Sequence, residues 1–326
     1  MHRIALLYGG TSSERQVSLK SGHKVAAALG EIGHSVTPID LQQDSLDGLG
    51  IDLAGYTFVF LALHGGWGES GGVQCELERM GLPYSGSDAV ASHLAMDKEL
   101  SKGQFLTHRV PTAPYRVATP ENGAAVLARM VREHGFPLAV KPACEGSSLG
   151  VSIVRSYDEG EAALAAAFSY GRRVIVERGI VGREFTVGII GRTVFHPVEL
   201  RTRRGFFDYE AKYADSSTEY LVKPDIDGVL AKRLRYFGKR AHDALRCHGY
   251  SRVDIMVDTR GEIFVLEVNT LPGLTPRSLL PMAAGAAGLS YEETLQAMID
   301  ASIEKVPPDR RRNHDLAALS ARSKSN

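Results

Sequence analysis

The chain lacks most of the features that would tie it to one place or one polymer. Its three cysteines, Cys75, Cys144 and Cys247, are scattered, odd in number and without metal-ligand spacing. That argues against a disulfide scaffold or a thiolate metal site and suits a reducing cytoplasm. Neither charge is in excess: 38 Lys and Arg balance 38 Asp and Glu, so no overall field draws the protein to nucleic acid or a membrane surface. No apolar run is long enough to span a bilayer. The opening Arg3-Ile4-Ala5-Leu6-Leu7-Tyr8 is too short for a secretory core before Gly9-Gly10 intervenes. Internal repeats are missing, and so is the order G-x-x-x-x-G-K-[S/T], which argues against a P-loop enzyme. A charged ligand must then be held by local groups.

What is present is enough for more than one core. At 326 residues and 44% apolar content, two or three domains are expected. Apolar runs at Ile4 to Tyr8, Val36 to Ile39 and Phe58 to Leu63 alternate with helical periods at Val17 to Ile32 and Val73 to Met80, the βαβ order of a parallel sheet. One long helix, Ala89 to Thr107, leads to Pro111 and Pro114. Strands at Pro137 to Ala143, Val151 to Arg155 and Val174 to Glu177 then alternate with helices near Pro120 to His134 and Glu161 to Phe168. Strands at Phe185 to Ile190 and Val194 to Leu200, a polar segment, a helix from Gly228 to His248 and a hairpin from Arg252 to Asn269 follow. The expected units are 1–95, 96–180 and 181–306, with 307–326 a polar tail.

The hairpin poses a chemical question. Val265-Leu266-Glu267-Val268-Asn269 has the look of a buried strand, yet it carries a carboxylate, and burying one without a partner is expensive. With Arg260 and Gly261 as a two-residue loop, Thr259 faces Glu262, Asp254 faces Glu267 and Arg252 faces Asn269, all on one face. Opposed carboxylates repel, so this face calls for a cation. Asp254, Glu267 and Asn269 are hard oxygen donors that suit magnesium better than zinc, and a pair of metal ions carried in by a nucleotide would supply the charge. A solvent-facing polar face in another register fits the same spacing.

Three small-residue loops could cradle a ligand. In Lys141-Pro142-Ala143-Cys144-Glu145-Gly146-Ser147-Ser148-Leu149-Gly150, backbone amides and two hydroxyls could converge on phosphate oxygens, although a ligand-free glycine–serine turn reads the same way. Gly9 to Glu14 follows the first strand at its carboxyl end, where parallel sheets collect ligands. Glu14 there could hold an amine or merely favour a helix N-terminus. His64-Gly65-Gly66-Trp67-Gly68-Glu69 follows another strand at the same edge.

Together GGTSSERQVSLKSG, LALHGGWGE, GLPYSGS, AMDK, VKPACEGSSLG, REFTVGII, FDYEAKY, SRVDIMVD and LEVNTLPGLTPRSLLP resemble the ATP-grasp superfamily and, within it, the D-alanine:D-alanine ligases. The resemblance implies a three-domain α/β ATP-grasp architecture with an N-terminal parallel-sheet α/β domain. It implies a cytoplasmic, homodimeric, ATP-dependent carboxylate–amine ligase that joins two D-alanines through an acyl phosphate for peptidoglycan synthesis. Its cofactors would be ATP and magnesium, two ions, with manganese as a substitute.

Carried over by position, Lys98, Lys141 and Lys212 would contact phosphates, with Ser147 and Ser148 in the phosphate loop. Glu177 and the backbone at Ile180 would meet adenine, and Glu184 ribose. Asp254, Glu267 and Asn269 match metal ligands, while Arg252 and the Gly273 amide match an oxyanion site. Glu14 and His64 would serve the first substrate, and Ser278 with the Leu279 amide the carboxylate of the second. Ser147 and Tyr213 would join Glu14 in a cluster closing the site. The chain departs from the pattern at Ser70, Cys75 and Cys144, the last expected as a small buried thiol. Two alternatives stay open: a related ligase whose second substrate is D-lactate, D-serine or another amino acid, and an inactive nucleotide-binding homologue. Glu210-Ala211-Lys212-Tyr213 argues against the depsipeptide-forming type.

Overall fold

The unbroken apolar run after Arg3 has the composition of a strand covered on both faces, and it forms the middle of a parallel sheet. In the computed structural model, which describes residues 1–201 and 219–304, β1 (Arg3–Gly9) lies between β2 (Ser35–Leu41) and β3 (Phe58–Leu61). Helix α1 (Arg15–Glu31) makes the first crossover and buries Val25, Ala28 and Leu29 against Ile4 and Leu6. After β3 come α2 (Gly66–Glu69) and α3 (Gly72–Met80).

The stretch expected as one helix over 89–107 is two, α4 (Ala89–Met96) and α5 (Lys98–Thr107). Asp97 leaves the helical backbone with ψ 107°, and its carboxylate accepts from the amides of Glu99 and Leu100, capping the second helix. The apolar period runs through the break because Ala91, Ala95 and Phe105 all enter the same core. A pattern read from burial alone cannot register such an interruption.

The second sheet is antiparallel, in the order β4 (Tyr115–Ala118), β7 (Val174–Arg178), β5 (Leu138–Pro142), β6 (Ser152–Val154). Alternate residues Leu138, Val140, Val174 and Val176 pack under α6 (Gly123–His134) and α7 (Tyr157–Phe168). Period two then sends Ala139, Lys141 and Glu177 to the other face.

The third sheet runs β11 (Glu219–Leu221), β10 (Val198–Arg201), β8 (Gly182–Ile190), β12 (Tyr250–Asp258), β13 (Ile263–Asn269), with β9 (Thr193–Val194) also on β8. The strand expected over Val194 to Leu200 is thus split at Phe195-His196-Pro197, where Pro197 cannot donate to a ladder. Helix α8 (Gly228–Ala244) covers this sheet and ends short of the expected His248. Two helices absent from the sequence reading come last among the described residues: α9 (Leu279–Ala286) and α10 (Tyr291–Ile303), the latter opened by a Ser290/Glu293 capping box. Leu280, Leu295 and Met298 share a core with Ile4, Leu29 and Phe58, so α9 and α10 pack on the first sheet. Among the described residues no helix is long and apolar enough to cross a membrane.

The β12–β13 hairpin departs from the expected register and then returns to it. Asp258 faces Glu262 instead of Thr259 facing it, so the loop has three residues, Thr259 to Gly261, with Gly261 left-handed at φ 80°. One residue is therefore out of step from the tip inward, with Ile255 opposite Val265. A bulge at Leu266 absorbs it, restoring Asp254 opposite Glu267 and Arg252 opposite Asn269.

Candidate active site

A cavity of about 590 Å³ separates the second and third sheets, within the range of small-molecule pockets. It brings together Lys98, Lys141, Ser148, Glu177, Ile180, Glu184, Asp254 and Glu267, eight of the expected site residues. Its apolar lining includes Ala139, Val151, Ile153, Met256 and Leu266. The bulge lets Leu266 and Glu267 face it together, which strict alternation would forbid. Greasy walls beside clustered ammonium groups suit a ligand with a flat apolar part and an anionic tail.

Ionic pairing organises the floor. Glu177 is buried, with Lys141 Nζ 2.5 Å from Oε1 and Lys102 Nζ 2.6 Å from Oε2. Burial alone would raise the Glu177 pKa, but the two lysine charges outweigh it and bring it down to about 2. Lys141 shows the converse balance: burial would lower its pKa, and the Glu177 charge reverses the sign. Lys102 goes the other way, its pKa lowered because burial prevails over the same carboxylate. Lys98, first residue of α5, donates to the Glu145 carbonyl and lies 3.7 Å from Glu267 Oε2.

The opposed hairpin acids have positive side chains beside them, a source of charge that spacing did not reveal. Arg252 grips Asp254 through Nε at 3.0 Å and an Nη at 2.8 Å, while Thr186 and Asn269 donate to the same carboxylate at 2.7 and 3.1 Å. Lys98 provides the positive charge beside Glu267. The donor set still fits a hard divalent cation: two carboxylates and the Asn269 carboxamide share one face. Among the described residues, no three His, Cys, Asp or Glu cluster as a metal site, since the third oxygen here comes from asparagine.

At the other end, the Ser147 hydroxyl donates to Glu14 Oε1, joining the phosphate-type loop to the first loop of the chain. Ser147 and Ser148 hold left-handed φ of 49° and 59°, a strain that persists only where surroundings impose it. His64 has both ring nitrogens engaged, Nδ1 with the Leu271 carbonyl at 3.0 Å and Nε2 with Ser21 Oγ at 3.1 Å. Only the Nδ1–H tautomer serves both, and burial lowers the ring's pKa to match. Gly65 has φ 65°, and a Cβ there would come within 2.6 Å of Glu14 Oε2, so this position favours glycine. Its amide donates to Glu69, a buried acid whose pKa burial and the Glu14 charge push up to about 8. A Cβ on Gly273 would sit 2.9 Å from Ser278 Oγ, so glycine permits the approach of those two expected substrate-side groups. Ser278 stands at the N-cap position of α9 with its hydroxyl turned to Thr275, and Leu279 begins the helix.

The family described as D-ala D-ala ligase C-terminus matches residues 107–300. The D-alanine--D-alanine ligase of Stutzerimonas stutzeri (strain A1501) is 43% identical over 305 residues, 93% of this chain and 95% of that one. The chain belongs to the D-alanine–D-alanine ligase family. Another member, from Geobacter sulfurreducens, is 42% identical over 91% of this chain and 93% of its own. The D-alanine--D-alanine ligase of Bacillus anthracis complexed with ATP superposes with a TM-score of 0.82 at 34% identity, covering 96% of this chain and all of that one. The VanG D-Ala:D-Ser ligase of Enterococcus faecalis gives 0.80 at 28%, covering 92% and 99%. The three-domain ATP-grasp ligase fold is thereby shown for this chain as a member of the family.

Set against the family, Lys212 and Tyr213 lie outside the described residues. Lys102 and Glu69 escaped the sequence reading. Lys102 stands four residues after Lys98, the spacing that puts two side chains on one helix face, and that could have found it. Cys144 is exposed, against the expectation of a buried thiol, with its sulfur 3.6 Å from Asp97 Oδ2.

Proposed function

We propose that this ligase joins two D-alanines to D-alanyl-D-alanine at the expense of ATP, supplying a peptidoglycan precursor. The observation that carries the reading is one cavity lined by Lys98, Lys141, Glu177 and the opposed acids Asp254 and Glu267. The nucleotide lies there, between the proposed units 96–180 and 181–306. Its base meets Glu177 and Ile180, its ribose Glu184, and its phosphates Lys98, Lys141 and the amides at Ser147 and Ser148. Asp254, Glu267 and Asn269 would hold magnesium, which when bound would supply positive charge to the transferring phosphoryl group.

The remaining chemistry falls to the chain's own groups. The γ-phosphoryl group passes to the carboxylate of a first D-alanine, whose ammonium Glu14 holds while His64 shapes the pocket behind it. The deprotonated amine of a second D-alanine, its carboxylate at Ser278 and the helix-opening amide of Leu279, attacks the acyl carbon, and collapse of the tetrahedral adduct breaks the acyl C–O bond and expels inorganic phosphate. Arg252 and the Gly273 amide receive the oxyanion, a type of contact measured elsewhere at about 3 to 4 kcal/mol. The Ser147–Glu14 bond draws the phosphate loop over the site and keeps out water that would hydrolyse the acyl phosphate. The enzyme acts in the cytoplasm as a homodimer.

Phosphate release from ATP, with and without D-alanine, tests the proposal. Release that depends on D-alanine, with dipeptide as product, is expected. Release indifferent to D-alanine sinks it, and faster turnover when D-serine or D-lactate accompanies D-alanine transfers the assignment to a ligase of different second substrate.

A further inference from the structure

We propose that Lys102, outside the cavity, is a positioning residue for recognition of the nucleotide base, holding Glu177 as a fixed acceptor from behind. This rests on the assignment of Glu177 to the base made above.

Lys102 is 1% exposed and does not line the cavity, so no ligand reaches its ammonium. One lysine would neutralise Glu177, and Lys141 already does so at 2.5 Å. A second buried ammonium leaves two positive charges on one carboxylate, a costly excess if neutrality were the only purpose. The two lysines differ in access. The Lys141 side chain is 12% exposed at the cavity wall and can be shared with an anionic ligand. When a phosphate draws it, Glu177 keeps a counter-ion only because Lys102 cannot leave.

Lys102 is itself anchored. Its Nζ donates to Thr112 Oγ1 at 2.7 Å, and Thr112 donates in turn to the Val265 carbonyl at 2.9 Å. The ring of Tyr115 lies 5.3 Å from the ammonium. Glu177 belongs to β7 and Val265 to β13, so this chain of contacts sets the carboxylate against both walls of the cavity. An ionised carboxylate only accepts hydrogen bonds. It therefore favours a base with an exocyclic amine, such as adenine, and opposes a 6-oxo purine, which presents an acceptor at the same place.

The test uses the full-length enzyme with ATP and inosine triphosphate. Lys102→Met, which keeps the stem and drops the charge, should raise KM for ATP about tenfold, as expected for a charged hydrogen bond, and shrink the preference for ATP over inosine triphosphate similarly. KM for D-alanine should not move. In a Glu177→Gln background, Lys102→Met should add little, because a neutral amide needs no counter-ion. Additive losses, or an unchanged nucleotide preference, overturn the proposal and leave Lys102 a strut. If Lys102→Met does not fold, Thr112→Val decides: a severalfold rise in KM for ATP alone supports the proposal, and no rise overturns it. Glu177→Gln by itself separates the two levels. If it leaves KM for ATP unchanged, the base assignment fails and this inference with it; if it raises KM while Lys102→Met does not, only this inference falls.

Discussion

Replacing Glu69 by glutamine isolates what it costs to keep an acid buried beside Glu14. Glutamine retains an oxygen for the Gly65 amide, so the loop keeps its hydrogen bond while the titration disappears. Below the ordinary value of 4.5 the folded and unfolded chains both hold the proton, and Glu69 makes no difference between them. Between 4.5 and about 8 the unfolded chain releases its proton while the folded chain keeps it, so stability falls as pH rises and levels off above about 8. The span of about 3.5 units, at about 1.4 kcal/mol each, sets a ceiling of roughly 5 kcal/mol, and rearrangement of the loop around the charge leaves about 2 to 3 kcal/mol to be seen. Denaturant unfolding of both proteins at pH 4 and pH 9, one below and one above the window, measures it. The variant should gain on the parent by that amount at the higher pH and match it at the lower. An equal difference at both pH values would refute the argument, since it would show that Glu69 does not titrate with folding.

Glu267→Ala should lower turnover by at least about a hundredfold, the scale of one lost transition-state contact, while circular dichroism shows the fold retained. Near-normal D-alanine-dependent phosphate release would remove Glu267 from the metal site. Glu177 stabilises the folded chain above the ordinary carboxylate value of 4.5, and that contribution is lost as pH falls through about 2. Denaturation midpoints should therefore decline across this window, with a shallower decline in Glu177→Gln. Asp97→Ala removes the cap of α5, and a thermal melt should show a loss of about 1 to 2 kcal/mol.

The opposition of Asp254 and Glu267 was legible in the sequence even though the turn that led to it was misjudged. Strict alternation from Arg252 to Asp258 identified the right face, and the bulge at Leu266 cancelled the miscounted loop residue. A bulge leaves no mark in a pattern of apolar and polar residues, so this agreement owed something to compensation. The side-chain cations beside the acids went unread for a different reason. Arg252 lies on the same face two residues from Asp254, within reach of its carboxylate, but spacing does not reveal that a side chain folds back along its own strand. Lys102 was passed over because a lysine in a helix is read as solvated; its spacing from Lys98 was there to see, but only the packed structure shows its ammonium enclosed. The break at Asp97 hid behind continuous burial. The contacts linking Glu14 to Ser147 and His64 to Leu271 span far too much chain for local pattern to predict; the resemblance brought Glu14 and Ser147 together, and nothing in the sequence reading paired His64 with Leu271.

The extra residue at Leu266 gives the third sheet some slack. Because it takes up an offset introduced at the far tip, the tip can change length by one residue in step with it, and the acids need not move. Loop grafts or tags inserted at Thr259 to Gly261 should be tolerated accordingly, whereas lengthening the strand between Leu266 and Asn269 would break the opposition of Asp254 and Glu267. The hairpin thus has one end open to variation and one end pinned by chemistry, and a single irregular residue marks where the first becomes the second.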